Sequence, residues 1–164
     1  MRIRGISRGR GHRRRAERGA VTVEFVLVLP FFLFLIFLLI GMATMFSFRQ
    51  ALSQAATEGA RAAAVQPLDA TDAARTSDAL AAINGTLGAQ ADVTCVSGVL
   101  KRRGASAGTC SVSPPAPCDG GKKCVTVRLS YAYRDHQLAG SMPFVPDAIF
   151  PSSLTYVSSA RVSQ

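Results

Sequence analysis

The most prominent pattern in the chain is a long apolar run that follows a polar, arginine-rich N-terminus. Residues 25–48 are 24 consecutive residues without a formal charge. At ~1.5 Å per helical residue the run is ~36 Å long, enough to cross a hydrocarbon core of ~30 Å. The apolar region of a secretory signal peptide is shorter, about 7 to 15 residues. The pattern therefore predicts a transmembrane helix over residues 20–48 that is retained in the protein.

The helical pattern continues beyond the apolar run, over residues 49–66. Small apolar residues recur there at helical spacing, and polar residues occupy the other side. Pro67 predicts an end near Gln66, because the residue before a proline is displaced from the helical region. Pro30, inside the span, predicts a kink. We therefore expect one kinked helix over about residues 20–66, half in lipid and half outside.

A stripe of small residues in the outer half of this helix predicts close packing. It consists of Ala51, Ala55, Gly59 and Ala63, at four-residue spacing. Such a series allows a sheet or a second helix to approach closely. Two partners fit equally well at this point: the chain's own sheet, or a neighbouring subunit.

A second helix is predicted over about residues 70–83. Asp69 or Thr71 would be its N-cap, and Asn84-Gly85 would end it. Three strands are predicted downstream from alternating apolar and polar residues, and the connection between the first two is rich in Pro, Gly and Ser. The strands are 91–99, 123–134 and 153–163, and the connection is a cysteine-containing surface loop over 100–123.

These elements predict an α+β fold. A long N-terminal transmembrane helix continues into a small pilin-like ectodomain, residues 67–164, with a second helix and a roughly three-stranded antiparallel sheet. A domain of this size has a thin core, so the outer half of the long helix is its natural packing partner.

Charge predicts the orientation in the membrane. Residues 1–19 contain eight arginines and one glutamate, a net charge of +7, whereas the remaining residues carry eleven basic and nine acidic side chains. Basic residues beside a span are retained on the cytoplasmic side. The ectodomain is therefore expected outside the cytoplasm. Nucleic-acid binding is disfavoured, because the basic segment lacks the aromatic residues that would stack on bases.

All four cysteines follow the span, as expected of an exported domain. Cys95, Cys110, Cys118 and Cys124 contain no C-x-x-C pair of the kind that zinc sites prefer, so disulfides are the better interpretation. Four cysteines permit three pairings. Pairing the first with the second and the third with the fourth is favoured, because each bond then closes a short local loop. The compartment would be oxidising.

The sequence offers no catalytic constellation. Its two histidines are His12, in the basic segment, and His136, beside Asp135 in a predicted loop. Adjacency in sequence does not make a catalytic pair, and no phosphate-binding loop or nucleophile motif is present. The chain is therefore predicted not to be an enzyme, and to need no metal, cofactor or small-molecule substrate.

One acidic residue, Glu24, lies just inside the apolar region. The stretch "RGAVTVEF" around it resembles the cleavage site of type IV prepilins, with Gly19 ending a basic leader, Ala20 as first mature residue and a glutamate at the fifth mature position. Residues 23–65, with the proline in the span and "RQALSQAATEGAR" after it, resemble the TadE-like family of tight-adherence (Tad, or Flp) pilus systems. The closing "SSLTYVSSARV" is loosely similar, and residues 90–124 match no family pattern.

The resemblance implies a function in pilus biogenesis. It implies cleavage after Gly19 by a prepilin peptidase, and partners among other pilins or pseudopilins, the Tad assembly platform and the cytoplasmic membrane. The chain would be a minor pilin or pseudopilin of a type IVb pilus, in which Glu24 pairs with the amino group of Ala20 of a neighbouring subunit. The alternative is a single-pass, membrane-anchored binding module that is neither processed nor assembled.

Overall fold

The structure, a computed structural model, describes residues 10–67, 69–140 and 145–162. Two α-helices precede six short strands, and one-turn 3-10 segments lie at Asp119–Gly121 and Asp147–Ile149. The helices and strands are α1 (Arg10–Val65), α2 (Asp72–Ala91), β1 (Val93–Val96), β2 (Val99–Arg102), β3 (Ala105–Val112), β4 (Ala116–Pro117), β5 (Lys123–Tyr131) and β6 (Leu154–Arg161).

The predicted long helix is confirmed as α1, a single helix of 56 residues. It begins at Arg10, within the basic segment, so it starts earlier than expected. It contains Pro30 and ends at Val65, one residue before the predicted end. Residues 1–9 of the predicted leader lie outside the described part of the chain. The helix that carries the apolar run therefore continues without interruption into the ectodomain.

A buried arginine closes the C-terminal end of α1. Arg75, which is only 3% exposed, donates hydrogen bonds from Nη1 to the carbonyl oxygens of Ala63 and Gln66, both at 3.1 Å, and from Nη2 to that of Pro67. The last carbonyls of a helix have no partner within the helix, and a cation near them is favourable. Arg75 therefore satisfies the end of α1 and attaches the first turns of α2 to it.

The start of α2 agrees with the sequence, and its end does not. Thr71 is the N-cap, and its side chain accepts a hydrogen bond from the backbone N–H of Ala74 at 3.2 Å. The predicted end at Asn84-Gly85 is wrong, because α2 continues to Ala91. The Asn84 side chain is used in a tertiary contact: it accepts from the Cys95 N–H at 2.6 Å and donates to the Cys95 carbonyl at 3.2 Å. Asn84 thus holds β1 against the helix.

The sheet is larger than predicted. All neighbouring strands are antiparallel, in the order β1-β2-β3-β5-β4, and β6 also pairs with β5. The expectation of about three strands is therefore wrong. The first predicted strand, 91–99, is broken after β1 by a turn in which Ser97 and Gly98 have positive φ. The predicted loop 100–123 contains most of β2 and all of β3 and β4.

The missed strands β2 and β3 contain few buried side chains. The buried positions of β2 and β3 are Leu100, Ala107 and Cys110, which together are too short a series to predict a strand. The two strands with longer alternation, predicted at 123–134 and 153–163, are confirmed as β5 and β6. The α+β architecture therefore holds, with more strands in the sheet.

Both disulfides follow the favoured pairing. Cys95 is bonded to Cys110 and Cys118 to Cys124, with Cα–Cα distances of 6.2 and 5.8 Å. The first bond joins β1 to β3, which are not neighbours in the strand order. The second closes the turn before β5.

The core lies between the outer half of α1, α2 and one face of the sheet. Leu52, Ile83 and Leu129 are completely buried in it. At the end of the core nearer the apolar run, which we call the lower end, the Phe48 ring packs edge-on against Tyr131, with centroids 4.6 Å apart. At the other end Ala63 clusters with Ala79, Val125 and Val162. The sheet therefore rises along α1, away from the apolar run.

Candidate functional site

The most unusual surface of the molecule is the bare N-terminal part of α1. Every residue from 21 to 32 is exposed. The large apolar side chains in this stretch are Val21, Val23, Phe25, Val26, Leu27, Val28, Leu29, Phe31 and Phe32. A helix that is apolar on all sides needs lipid or protein around it. We call residues 21–32 the bare segment.

Among the described residues, one helix is long and apolar enough to cross a membrane, Val21–Val65. Its most apolar window has a mean hydropathy of 3.0, and only 6% of that window is buried within the chain. The core helix of a soluble domain would be mostly buried. Length, composition and exposure together fit a membrane-anchoring helix.

Glu24 is exposed on the bare segment, among apolar neighbours. The predicted cleavage residues Gly19 and Ala20 lie on the same continuous helix, and Ala20 is one helical turn before Glu24. The first four residues after such a cleavage would therefore be helical and end beside the carboxylate. Processing and pairing remain predictions.

The stripe of small residues faces the chain's own ectodomain. Ala51, Ala55 and Ala63 are at most 1% exposed. At Gly59, an added Cβ would lie 2.7 Å from Cγ1 of Ile83 in α2. Of the two partners considered, the intramolecular one is present, and it includes α2 as well as the sheet. In this fold the stripe is not accessible to a neighbouring subunit.

The side chain of Pro30, at which the sequence predicts a kink, lies in the bare segment and is exposed. Its pyrrolidine nitrogen carries no hydrogen, so one carbonyl in the preceding turn lacks its usual helical partner. The helix nevertheless continues on both sides of it. Pro30 therefore belongs to the exposed surface of α1 and not to its packed face.

Two arginines that the sequence did not single out hold the connection between β5 and β6. Arg102 donates to the carbonyl oxygens of His136, Gln137 and Leu138 at 3.1, 2.7 and 3.1 Å. Arg134 donates to that of Phe150 at 3.2 and 2.9 Å. Sequence reasoning missed them because their acceptors are backbone carbonyls, which leave no mark on side-chain identity.

The aromatic cluster at the lower end of the core, formed by Phe48, Tyr131 and Tyr133, is buried. Burial raises the pKa of the Tyr131 phenol, and the charge of Arg102 partly opposes that rise. Burial likewise raises the pKa of Tyr133, while a side-chain hydrogen bond with Thr44 of α1 opposes the rise. Both phenols are therefore protonated at ordinary pH. The Tyr131 hydroxyl donates to the His136 carbonyl at 2.9 Å.

Asp135 and His136 lie in the connection that follows β5. They line an open cavity with Arg102 and Arg134, whose guanidinium groups are occupied by the loop carbonyls. Among the described residues, no three His, Cys, Asp or Glu side chains are grouped so that they could hold a metal ion. Arg102 and Arg134 therefore stabilise the β5–β6 connection.

The bare segment and the packed half of α1 share one sequence signature. Residues 19–61 match the TadE-like protein family. The match confirms the resemblance for these residues, which we call the TadE-like segment and which run from Gly19 into the buried part of α1. The sheet and both disulfides lie outside the matched range. No curated protein and no solved structure matches the chain.

Proposed function

We propose that this chain is a minor pilin or pseudopilin of a Tad (Flp) type IVb pilus, active in pilus assembly or initiation and hence in surface adhesion. The observation that carries the proposal is the bare segment: an apolar helix with one exposed carboxylate, inside the TadE-like segment, attached directly to a folded ectodomain. An assembly helix requires such a combination, because it must leave lipid and enter contact with other helices.

The proposed topology places the basic segment in the cytoplasm and the ectodomain outside. The arginine excess of residues 1–19 supports this orientation through the positive-inside bias. Two disulfides support an oxidising compartment for the ectodomain. The inner, or cytoplasmic, membrane is then the site of anchoring and of cleavage by the prepilin peptidase.

Glu24 would set the register between subunits. Cleavage after Gly19 exposes the amino group of Ala20, which lies ~6 Å from Glu24 along the helix axis. A carboxylate in apolar surroundings is costly unless it is paired, and the ammonium group of Ala20 on a neighbouring subunit would pair with it. The alignment of one helix with the next would follow from that contact.

The ectodomain supports a minor role. Because the outer half of α1 is covered by α2 and the sheet, the bare segment is left for contacts between helices. A bulky head on a short contact helix suits a tip, an initiation complex or a contact with the assembly platform. We further propose that the chain has no enzymatic activity, since its polar side chains serve its own loops.

The mass of the intact protein tests processing. Protein extracted from membranes of cells with an active prepilin peptidase is expected to begin at Ala20 and to have lost the leader. A chain that still carries residues 1–19 in such cells would instead support the alternative of an unprocessed, membrane-anchored binding module.

A charge-removal pair tests the role of Glu24. Glu24→Ala should insert into the membrane normally but enter sheared pilus material about tenfold less, which corresponds to an ion pair worth ~1.4 kcal/mol. The matched control is Glu58→Ala, because Glu58 is 55% exposed on the same helix, lies outside the bare segment and pairs with Arg61 at 3.8 Å. Equal incorporation of the two variants would overturn the register role.

A further inference from the structure

The packed face of α1 extends far into the apolar run. Four apolar side chains before Phe48 are partly buried against the ectodomain core. They are Phe34, Phe37, Leu38 and Met42. The first residue of α1 that belongs to the buried apolar core is Met45, which is eleven residues, or ~16 Å, beyond Phe34. The neighbour of Phe34 in the core must therefore come from the ectodomain.

The connection between β5 and β6 lies beside this part of α1, since Leu138 lines a cavity with Ala43 and Thr44. α2 does not extend this far, since Gln90, near its end, lines a cavity with Ser47. The Tyr133 ring lies beside Phe48 of α1, with centroids 6.2 Å apart, and Val145 and Phe150 belong to the core. We call the described parts of this connection, residues 132–140 and 145–153, the base loop. The base loop is the part of the ectodomain that continues downward along α1.

The length of the bare segment shows where the base loop must lie. The bare segment is twelve residues, or ~18 Å, whereas a hydrocarbon core is ~30 Å thick and requires ~20 helical residues. Arginines before Gly19 limit how far the helix can move toward the cytoplasm. About eight more residues, 33–40, must therefore be placed in hydrocarbon, and they include Phe34 and Leu38.

We propose that the base loop is seated in the outer leaflet of the bilayer and that its partner is phospholipid. The base loop lies against one face of α1 at the level of residues 33–40, which must themselves be in hydrocarbon. Lipid must therefore surround the base loop as well as the helix. The other face of the helix at this level remains free for acyl chains, because Leu35 and Leu39 are 38% and 69% exposed.

The chemistry of the base loop suits an interface. Ile149 is 41% exposed beside the buried Phe150. Five loop-carbonyl contacts are made by Arg102 and Arg134, which reduces the cost of placing irregular backbone close to lipid. The Gln137 amide donates to Asp147 at 2.9 Å. The ectodomain therefore rests on the membrane and is not held above it by a bare stalk.

Tryptophan fluorescence tests the seating directly, because the chain contains no tryptophan. Full-length protein in phosphatidylcholine vesicles would carry one tryptophan, and the lipids would be brominated on the acyl chain close to the headgroup. Since interfacial groups lie ~5–10 Å into the headgroup and acyl boundary, Ile149→Trp should lose about half of its emission. Ala148→Trp, at a neighbouring exposed position, repeats the measurement if the first variant does not fold.

Val157→Trp is the control in the ectodomain. Val157 is 51% exposed on β6 and lies three residues, or ~10 Å, beyond Leu154, which pairs with Tyr131 at the lower end of the sheet. Its emission should be unaffected by bromine. Quenching of Ile149→Trp no greater than that of Val157→Trp would overturn the inference.

Leu39→Trp separates this inference from the proposed anchoring on which it rests. It should be strongly quenched if α1 spans the bilayer. Quenching at Leu39 without quenching at Ile149 or Ala148 would leave the anchor intact and overturn the seating of the base loop. An unquenched Leu39→Trp would overturn the membrane anchor as well, and with it the proposed function.

Discussion

At the scale of single residues, the close approach of β3 to β5 depends on a glycine, which has no side chain. Gly108 pairs with Tyr131 in the β3–β5 ladder. A Cβ at this position would overlap the carbonyl oxygen of Ser130 and lie 2.9 Å from the Tyr131 Cα. Both obstacles are backbone atoms, which cannot rotate away. Only glycine allows β3 to reach the central strand at this point.

Gly108→Ala should therefore destabilise the ectodomain. We expect a loss of about 3 kcal/mol in the free energy of unfolding, the upper end of the range for overpacking, because β3 must separate from β5. Urea unfolding of the full-length protein in detergent, followed by tyrosine circular dichroism, would measure it.

Gly85→Ala is the matched control. Gly85 lies inside α2, and a Cβ there meets no atom within 4 Å. Alanine favours a helix over glycine by about 0.8–1 kcal/mol, so this variant should be slightly more stable. A Gly108→Ala protein as stable as Gly85→Ala would show that the two strands can separate without cost.

At the scale of elements, the sequence predicted those with a long, regular pattern. The continuous α1, the N-cap of α2 at Thr71, and strands β5 and β6 all follow from periodicity or capping. The end of α2 could not be predicted, because Asn84 carries a helix-stop signal in sequence but bonds to β1 in the fold. β3 was missed because small residues dominate it, and β2 because its four residues contain only one buried side chain, Leu100.

The candidate site was only partly predictable for a related reason. Glu24 could be recognised because a charge is conspicuous in an apolar run. The packed face from Phe34 to Phe48 could not, since every neighbouring position is also apolar and no periodicity distinguishes the covered side. The intramolecular contacts of the small-residue stripe likewise required the fold.

The two disulfides should contribute different amounts to the free energy of unfolding. Removing Cys95–Cys110, which closes a separation of 15 residues, should cost about 3 kcal/mol in the chain-entropy model. Removing Cys118–Cys124, with a separation of 6, should cost about 0.8 kcal/mol less. Double alanine variants of each pair, unfolded in urea under identical conditions, would measure the difference.

The two double variants are controls for each other, because each of them loses one disulfide and two sulfur atoms. The Cys95–Cys110 variant should also lose more native structure, since both of these cysteines lie within the core. A greater loss for Cys118–Cys124 would contradict the assignment of the first bond as the main covalent support of the sheet.

At the scale of the whole molecule, α1 lies in two different environments. The bare segment has exposed apolar side chains, and the part of α1 from Met45 onward contributes the centre of the ectodomain core. Phe34 to Phe48 belong to both, since one face of the helix there is covered and the other is exposed. Substitutions in the two parts should therefore have separable consequences.

Leu27→Ala and Leu52→Ala test that separation. Leu27 is 72% exposed and Leu52 is completely buried. Leu52→Ala should lower the free energy of unfolding by about 2–5 kcal/mol, as large-to-small core substitutions do. Leu27→Ala should leave unfolding unchanged and lower incorporation into sheared pili several-fold, because a buried leucine contributes about 1.5–3 kcal/mol to a contact. Equal destabilisation by both variants would contradict the separation.

The capped, unbroken α1 also has a mechanical consequence. Beyond Pro30, α1 continues as one helix to the turn held by Arg75, so a tilt of this part of the helix tilts the whole ectodomain by the same angle. A force along the helix axis would act on the contacts around Leu52 and Ala55 as shear. Many of these contacts would then bear the force at the same time, and they would not break one after another. The part of α1 beyond Pro30 therefore transmits both orientation and force to the outer surface of the ectodomain.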